Sequence, residues 1–536
     1  MRTYPAGSQR LAFRSIYTSG RLRLSWILIA VLFLAGCNSI SPSLTDTPPP
    51  YPPIAAFEAR ESTPSPTVVL TPTITAAPAS MLDVPAEKLR GTLVRFWHPW
   101  IGAAAKTIST QIEQFNLTNP YGILVVPIQF PGYDALDSAV NSHPSEPPQI
   151  AAGFQHQALA WDQAEPLVDL QPYLNDPEWG LDAVDQADLY SAFWDPEVVD
   201  GRRLGLPAFR SASLLLYNQT WARELGFQAP PVTPEQFRQQ ACAAAQYMSH
   251  NGDRSTAGTG GYIISTDYPV LLSWIYAFGG DPLKTPEPGA SQSVYQFDTP
   301  EAAKALSFLR ELYDGGCAWE SRSPAPDSPF AGRLGLFASA SVFDLPDMTA
   351  AFKRAENLDE WVVIPYPSPV GSPALDAYGP SYFVFPATPE QQLASWLFLR
   401  WLTAADNHAR LIEATGALPV RAAALDELAD YEKSRPQWRQ AVDLIGYARP
   451  EPAYASWRKV RFALGDAATQ LFRSYFTLEQ IPAMLTYLDS FAAELHLGAN
   501  LPEVFGTLTH TPTSTFTPTR TPTPTRTSRP TVTPTP

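Results

Sequence analysis

The chain has 536 residues, which is enough for two or more domains with ample hydrophobic cores. Its formal net charge of −15 at pH 7 argues against a nucleic-acid-binding surface, because such a surface needs a stripe of basic residues. The 56 prolines are most densely spaced near both ends, which indicates linkers there, whereas the 14 tryptophans lie mostly in the middle of the chain.

The N-terminus reads as an export signal. Four arginines within residues 10–23 precede an apolar run, 24–34, which is too short for a typical membrane span. The run ends in Leu-Ala-Gly-Cys37, which resembles the lipobox of bacterial lipoproteins, where the cysteine receives the lipid and becomes the first mature residue. We therefore predict a lipoprotein signal peptide over 1–36 with Cys37 as the lipidation site. The alternative is an ordinary signal peptide or anchor with an incidental cysteine.

Two segments rich in proline and threonine flank the folded part. Residues 37–85 are mostly Ser, Thr, Pro and Ala, which predicts an extended tether rather than a domain. Residues 507–536 repeat Thr-Pro with a few arginines and no acid, which predicts a disordered tail.

The folded part, 86–506, begins with alternating strand and helix patterns. A first strand is expected over 92–97, a helix around 108–115, a second strand over 123–130 and a third over 148–152. This alternation predicts an α/β fold with a parallel sheet and a crevice at the carboxyl ends of its strands. Three later helices are expected to start at Thr-Pro-Glu, because threonine can cap a helix and proline suits its first position; they begin at Thr233, Thr299 and Thr388.

The most informative stretch is residues 200–237, DGRRLGLPAFRSASLLLYNQTWARELGFQAPPVTPEQF. It reads as a short strand, a polar loop over 208–212, a buried strand over 214–217 and two helices. The stretch closely resembles a segment of bacterial family 1 extracellular solute-binding proteins. Further pieces resemble that family in the same order, and the resemblance spans about 90–495; they are 297–316, 330–339, 361–367, 378–385, 415–421 and 453–457.

This resemblance implies a two-lobed α/β fold of the type II periplasmic-binding-protein kind, with hinge strands between the lobes and a ligand cleft between them. The N-terminal lobe is then expected to comprise 86–214 plus 364–402. The C-terminal lobe is expected to comprise 215–363 plus 403–506.

A polyhydroxylated ligand needs flat aromatic faces for its C–H patches and planar polar side chains for its hydroxyl groups. Aromatic and polar residues lie where the predicted strands end in loops, and the resemblance selects eight of these positions and adds Gly379. The expected ligand-binding residues are Trp97, His98, Phe154, Phe209, Arg210, Trp274, Ser339, Gly379 and Trp457.

Catalytic and cofactor motifs are not found. The sequence has no nucleophile elbow, no zinc-binding His-Glu-x-x-His helix and no phosphate loop, and the glycine-rich run 258–261 is expected to be a turn. His98 and His156 have no carboxylate or cysteine beside them at metal-ligand spacing. We therefore expect no catalytic residue, metal or cofactor; the alternative is an exported glycan-cleaving enzyme with paired carboxylates.

Two cysteines remain besides Cys37, and an even pair in an exported domain predicts a disulfide. Cys242 and Cys317 both fall in the expected C-terminal lobe, so a bond between them is predicted; two buried free thiols are the alternative.

The function implied by the resemblance is that of a lipid-anchored extracytoplasmic solute-binding protein. It would capture a sugar or oligosaccharide and hand it to the permease subunits of an ABC importer. We expect a monomer, anchored through Cys37 to the outer face of the cytoplasmic membrane and without a nucleic-acid partner. The alternative is a glycan sensor or adhesion module on the same fold, without transport.

Overall fold

A computed structural model describes residues 80–284, 295–321 and 325–499. The predicted signal peptide, Cys37, the tether up to residue 79 and the Thr/Pro tail lie outside these described residues.

The described residues form strands and helices in alternation. The strands are β1 (Leu93–His98), β2 (Leu124–Gln129), β3 (Ile150–Gly153), β4 (Val198–Val199), β5 (Arg202–Arg203), β6 (Gly205–Pro207), β7 (Ser211–Asn218), β8 (Gly260–Ile264), β9 (Ala318–Glu320), β10 (Gly335–Ser341), β11 (Trp361–Ile364), β12 (Leu375–Tyr378), β13 (Ser381–Val384) and β14 (Ala448–Pro450). The helices are α1 (Gly102–Thr118), α2 (Tyr133–Asn141), α3 (Gln155–Ala164), α4 (Gln171–Leu174), α5 (Ala183–Ala187), α6 (Ser191–Trp194), α7 (Gln219–Glu224), α8 (Pro234–His250), α9 (Tyr268–Ala277), α10 (Pro300–Asp314), α11 (Asp327–Ala331), α12 (Leu345–Arg354), α13 (Pro389–Leu402), α14 (Ala405–Thr415), α15 (Ala429–Ser434), α16 (Pro436–Asp443), α17 (Trp457–Leu471) and α18 (Ile481–Ala499).

Two sheets organise the molecule. The first has the strand order β2-β1-β3-β13-β6, with β1 parallel to β2 and β3. The second has the order β14-β12-β7-β10-β8-β9, with β11 paired to β7 and with β10, β8 and β9 mutually parallel. We call the first sheet with helices α1, α2, α3, α13 and α14 the first lobe, and the second sheet with helices α8, α9, α10, α12, α17 and α18 the second lobe.

The chain crosses between the sheets at neighbouring places. It leaves the first sheet after β6 and enters the second at β7, and it returns between β12 and β13. The two crossings touch, because the Ala208 amide donates to the Pro380 carbonyl at 3.0 Å. Arg210 and Leu418 also exchange backbone hydrogen bonds of 2.7 and 3.2 Å, so a third segment runs beside them.

The strand pairing corrects two of the expected lobe boundaries. The sequence placed 364–402 in the N-terminal lobe, but β12 pairs with β7 and β14 and therefore belongs to the second sheet. The return to the first sheet comes only at Gly379. The expected boundary at 214 falls inside β7, all of which lies in the second sheet.

A third correction concerns helix α14, which the sequence placed in the C-terminal lobe as part of 403–506. The helix packs on α1 of the first lobe, with Leu411 and Ile412 buried. The side-chain amide of Gln111 on α1 donates to the backbone carbonyl of Asn407 at 2.6 Å and fixes this contact.

The three predicted Thr-Pro-Glu helix starts are confirmed. Thr233, Thr299 and Thr388 precede α8, α10 and α13, and each hydroxyl accepts the backbone N–H three residues later, at 3.3, 3.1 and 3.3 Å. Each proline stands at the first helical position, where it removes no hydrogen bond.

The predicted Cys242–Cys317 pair is bonded in the structure, with a sulfur–sulfur distance of 1.97 Å. The bond joins α8 to the segment before β9 inside the second lobe. Close strand packing here also explains part of the glycine-rich run. A Cβ atom at Gly261 would lie 1.8 Å from the Cys317 carbonyl oxygen, so only glycine lets β8 approach this segment.

Replacing both cysteines by serine should lower the free energy of unfolding by about 2–5 kcal/mol, because the bond closes a long loop and restricts the unfolded chain. The partners are 75 residues apart in sequence. Chemical denaturation of the double variant, beside oxidised and reduced wild type, measures this loss. Equal midpoints for all three samples would contradict it.

Three buried histidines make the stability of the fold depend on pH. Burial lowers the pKa of His98 to about 4 and the pKa values of His156 and His408 to about 3. Nearby arginines lower the pKa of His156 and His408 further. Below an ordinary pKa of about 6.5 the unfolded chain takes up protons that the folded chain does not, so these histidines reduce stability as the pH falls toward 4.

His408→Gln tests the contribution of His408 to this pH dependence. The Val420 amide lies 3.0 Å from the His408 Nε2 atom, and glutamine keeps an acceptor for it. Between pH 7 and 4.5 the wild type should lose about 2–3 kcal/mol more unfolding free energy than the variant. Urea denaturation at both pH values measures the difference. Parallel losses would show that His408 does not titrate as stated.

Candidate ligand-binding cleft

The cleft lies where the carboxyl ends of the parallel strands of both lobes face each other. Loops that follow β1 and β3 come from the first lobe, and loops that follow β8, β9 and β10 come from the second. Ligands of open α/β sheets bind at this end of the strands, where loops are free to vary without disturbing the sheet. The cleft contains three adjoining cavities.

The aromatic cavity has a volume of about 390 Å³. Its aromatic lining residues are Trp100, Tyr133, Phe154, Phe209, Phe343 and Tyr378. Their rings contact one another, with centroids 4.5 Å apart for Tyr133 and Phe154 and 5.8 Å apart for Trp100 and Phe209. Phe343 comes from the second lobe and is 39% exposed. Of the described residues that line this cavity, none is charged.

The acidic cavity is larger, about 850 Å³, and lies on the second lobe. Five carboxylates line it, from Asp267, Glu320, Asp327, Asp344 and Asp347. Arg354 is the one basic side chain among its described lining residues, and it pairs with Asp327 at 3.2 Å. The other four carboxylates have no ion-pair partner in the described part of the chain.

Hydroxyl groups complete the acidic cavity. They come from serines at the ends of β8 and β10, from Thr266 and from two tyrosines, Tyr268 and Tyr378. The Ser341 hydroxyl donates to the Asp344 carboxylate at 2.8 Å and so orients it. Hydrogen-bond acceptors therefore dominate this wall, which suits a ligand rich in donors.

A polar cavity of about 40 Å³ separates the crossings from helix α17. Its lining includes Glu197, Arg210, His156, Glu451 and Trp457. Arg210 donates to the carbonyls of Phe209 and Pro380, to the Ser381 hydroxyl and to Glu197. The Arg210 guanidinium therefore has its hydrogen-bond and ion-pair partners within the protein.

Two carboxyl groups below the cleft share a buried environment. Burial raises the pKa of Asp376 well above its ordinary value, and the neighbouring Glu451 raises it further. Burial also raises the pKa of Glu451, whose Oε1 atom accepts the Tyr268 hydroxyl at 2.8 Å. Neither carboxyl oxygen of Asp376 has a hydrogen-bond partner among the described residues, and the side chain is fully buried.

The structure brings six of the nine predicted site residues to these cavities. They are Phe154, Phe209, Arg210, Ser339, Gly379 and Trp457. Ser339 lines the acidic cavity, but its hydroxyl is bonded to the hydroxyls of Tyr262 at 2.8 Å and Tyr366 at 3.2 Å. Trp457 lines the polar cavity, yet it has no exposed surface and stacks on Tyr295. These two residues support the cleft wall from behind.

Trp274 is not at the cleft, contrary to the sequence prediction. It is fully buried in the second lobe, with ring centroids of Phe237, Tyr366 and Phe308 within 5.2–5.4 Å. Its helix, α9, is buried on every side, because nearly all of its residues are apolar. The apolar composition of α9 could therefore have indicated from the sequence that Trp274 lies in the core.

Trp97 and His98 also line none of the three cavities. Trp97 packs against Phe130 at 4.9 Å in a core cluster behind the first sheet. His98 is 2% exposed and stacks on Trp100 at 5.6 Å. The chain turns toward the cleft only after β1 ends, so Trp100 lies where Trp97 and His98 were expected.

Sequence reasoning missed several residues that line the cleft, namely Tyr133, Asp267, Phe343, Asp344 and Asp347. Asp267, Phe343 and Asp344 follow β8 and β10 within three residues, so position after a strand was the signal for them. Tyr133 and Asp347 begin helices or lie near a helix start, and no local pattern marks them as ligand-facing.

No three side chains of His, Cys, Asp or Glu stand together in an arrangement that could hold a metal ion within the described ranges. None of the helices in those ranges is both long and apolar enough to cross a membrane.

Comparison with known proteins identifies the family. Residues 110–440 match the family described as bacterial extracellular solute-binding protein. The sugar-binding protein MalE of Xanthomonas citri is 21% identical, with a TM-score of 0.64, over 76% of this chain and 98% of that protein. The cyclic alpha-maltosyl-1,6-maltose binding protein of Arthrobacter globiformis is 19% identical, with a TM-score of 0.62, over 75% of this chain and 99% of that protein.

A third similar structure has a different type of ligand. UgpB of Mycobacterium tuberculosis, solved with glycerophosphocholine, is 17% identical, with a TM-score of 0.58, over 76% of this chain and 98% of that protein. These similarities confirm the predicted two-lobed α/β fold. Because the family match covers more than half of the chain, this protein belongs to the bacterial extracellular solute-binding protein family.

Proposed function

We propose that this exported protein captures a carbohydrate between its lobes and delivers it to an ABC importer, without catalysis. The observation that carries the proposal is the junction of the aromatic cavity with the acidic cavity at Tyr378, which lines both. A sugar ring presents C–H patches on its faces and hydroxyl donors at its edge. The aromatic wall fits the faces, and the carboxylates accept from the hydroxyls.

The relatives support this ligand class in part. Two of the similar structures carry a saccharide or sugar in their names, whereas UgpB was solved with glycerophosphocholine. The acidic cavity disfavours a phosphate, because unpaired carboxylates repel an anion. A neutral or aminated saccharide therefore fits this chain better than an anionic one.

Capture would proceed by hinge closure about the crossings between the sheets, and the permease would recognise the closed form. We propose that a single copy of the chain suffices, because one chain supplies both walls of the cleft. A glycan sensor or adhesion module would use the same capture. Uptake of the bound sugar by the cognate permease, reconstituted in vesicles, separates transport from these alternatives.

A panel of oligosaccharides tests the ligand class. Neutral and aminated oligosaccharides should raise the melting temperature, because a ligand that binds only the folded state stabilises it by about 2.7 kcal/mol at 100 times its Kd. Uronate oligosaccharides of equal length and glycerophosphocholine should raise it less. Absence of any shift across the saccharide panel would contradict the proposal.

Phe343→Ser should weaken binding of the best saccharide by about 1–2 kcal/mol, roughly tenfold in Kd, because an exposed ring face is lost from the aromatic cavity. The matched control is Phe462→Ser, since Phe462 is 62% exposed on α17 and lines none of the three cavities. Isothermal titration compares the two variants. Equal affinities would remove the aromatic cavity from the binding site.

We also propose that the mature protein is anchored through a lipid on Cys37, at the outer face of the cytoplasmic membrane. The Leu-Ala-Gly-Cys sequence supports this. Cys37→Ser should leave the protein unlipidated and either uncleaved or released from the membrane fraction. Mass spectrometry of the N-terminal peptide checks the wild type, and a lipid-free mature terminus elsewhere would refute the anchor.

A further inference from the structure

The lobes meet closely along one side of the cleft. There α3, from the first lobe, contacts α17, from the second lobe. Gln155 and His156 of α3 face Trp457 of α17 across the polar cavity. Only about 40 Å³ remains in that cavity, against about 850 Å³ in the acidic cavity.

An ion pair joins the lobes at this contact. Arg458, the second residue of α17, donates through Nη1 to the Oδ2 atom of Asp137 on α2. The Asp137 side chain is 1% exposed and the Arg458 side chain is 39% exposed. Of the ion pairs between described residues, this one alone links a helix of the first lobe to a helix of the second lobe.

Hydrogen bonds within the first lobe hold the Asp137 carboxylate in position for the ion pair. The Oδ1 atom of Asp137 accepts the Trp161 indole N–H at 2.8 Å and the Asn141 amide at 3.3 Å. Both donors belong to the first lobe, so the position of the carboxylate does not depend on the second lobe. Its Oδ2 atom receives its charged donor from Arg458.

We propose that Arg458 and Asp137 form a latch that holds the lobes together and thereby sets ligand affinity without touching the ligand. Opening the lobes moves α17 away from α3 and separates the two charges. For a ligand that needs the closed form, the apparent Kd equals the intrinsic Kd divided by the fraction of protein that is closed. A weaker latch lowers that fraction and therefore weakens binding. Both are positioning residues, and this inference rests on the hinge closure of the proposed function.

Arg458→Met keeps most of the side-chain length and removes the charge. We expect faster amide hydrogen exchange in the first turns of α3 and α17 of the ligand-free full chain, because the lobes separate more often. We also expect Kd for the best saccharide to rise by about tenfold, with most of the change in the dissociation rate.

The control is Arg333→Met, which breaks two ion pairs inside the second lobe, one with Glu224 and one of similar exposure with Asp359. The side chains of Arg333 and Asp359 are 36% and 7% exposed, and the Arg333 Nη2 atom lies 2.5 Å from the Asp359 Oδ1 atom. This variant should lose stability but leave affinity and exchange at α3 unchanged.

Asp137→Asn guards against misfolding of Arg458→Met, because asparagine still accepts the Trp161 indole. It should reproduce the effects of Arg458→Met, and the double variant should be no weaker than either single variant. If Arg458→Met matches Arg333→Met in both exchange at α3 and affinity, the latch is refuted. If exchange rises at both turns while no saccharide binds the wild type, the latch stands and the proposed function fails.

Discussion

The first two chain crossings between the sheets lie backbone against backbone, and this contact constrains the residues around the cleft. A Cβ atom at Gly379 would lie 2.4 Å from the Phe209 carbonyl oxygen and 3.0 Å from the Arg210 Cα atom, so no larger residue fits. The Arg210 guanidinium then binds the carbonyls of both crossings, at 3.0 Å for Phe209 and 2.8 Å for Pro380. The hinge is therefore a tightly packed layer in which one arginine holds both segments.

Burying that arginine has an energetic cost, and Glu197 offsets it. Burial lowers the pKa of Arg210, and the adjacent Glu197 carboxylate acts in the opposite direction. Glu197 also accepts the Ser381 hydroxyl at 2.5 Å, so it too contacts the second crossing. Removing either charge would leave the other buried and uncompensated, which is far more destabilising than losing a surface pair. The aromatic wall, which is uncharged, and the acidic wall meet beside these crossings at Tyr378, and this juxtaposition gives the cleft its chemical character.

Local patterns in the sequence were enough to predict local structure. They were not enough to predict which side chains are buried, because burial depends on residues distant in sequence. The helix starts at Thr233, Thr299 and Thr388 depend on a few adjacent residues, so they could be read directly. Whether Trp274 faces a ligand or the core depends on helices far away in sequence, and the prediction there was wrong. The lobe boundaries failed for the same reason, because strand partners decide the sheet to which β12 belongs. Trp97 shows how a shift of a few residues along β1 moves a side chain from cleft to core.

The Cys242–Cys317 bond lies wholly on one side of the hinge. A covalent link that spanned the crossings would hold the lobes at a fixed separation, whereas this one moves with the second lobe as a rigid piece. Oxidation after export can therefore strengthen one half of the molecule and leave the opening motion free.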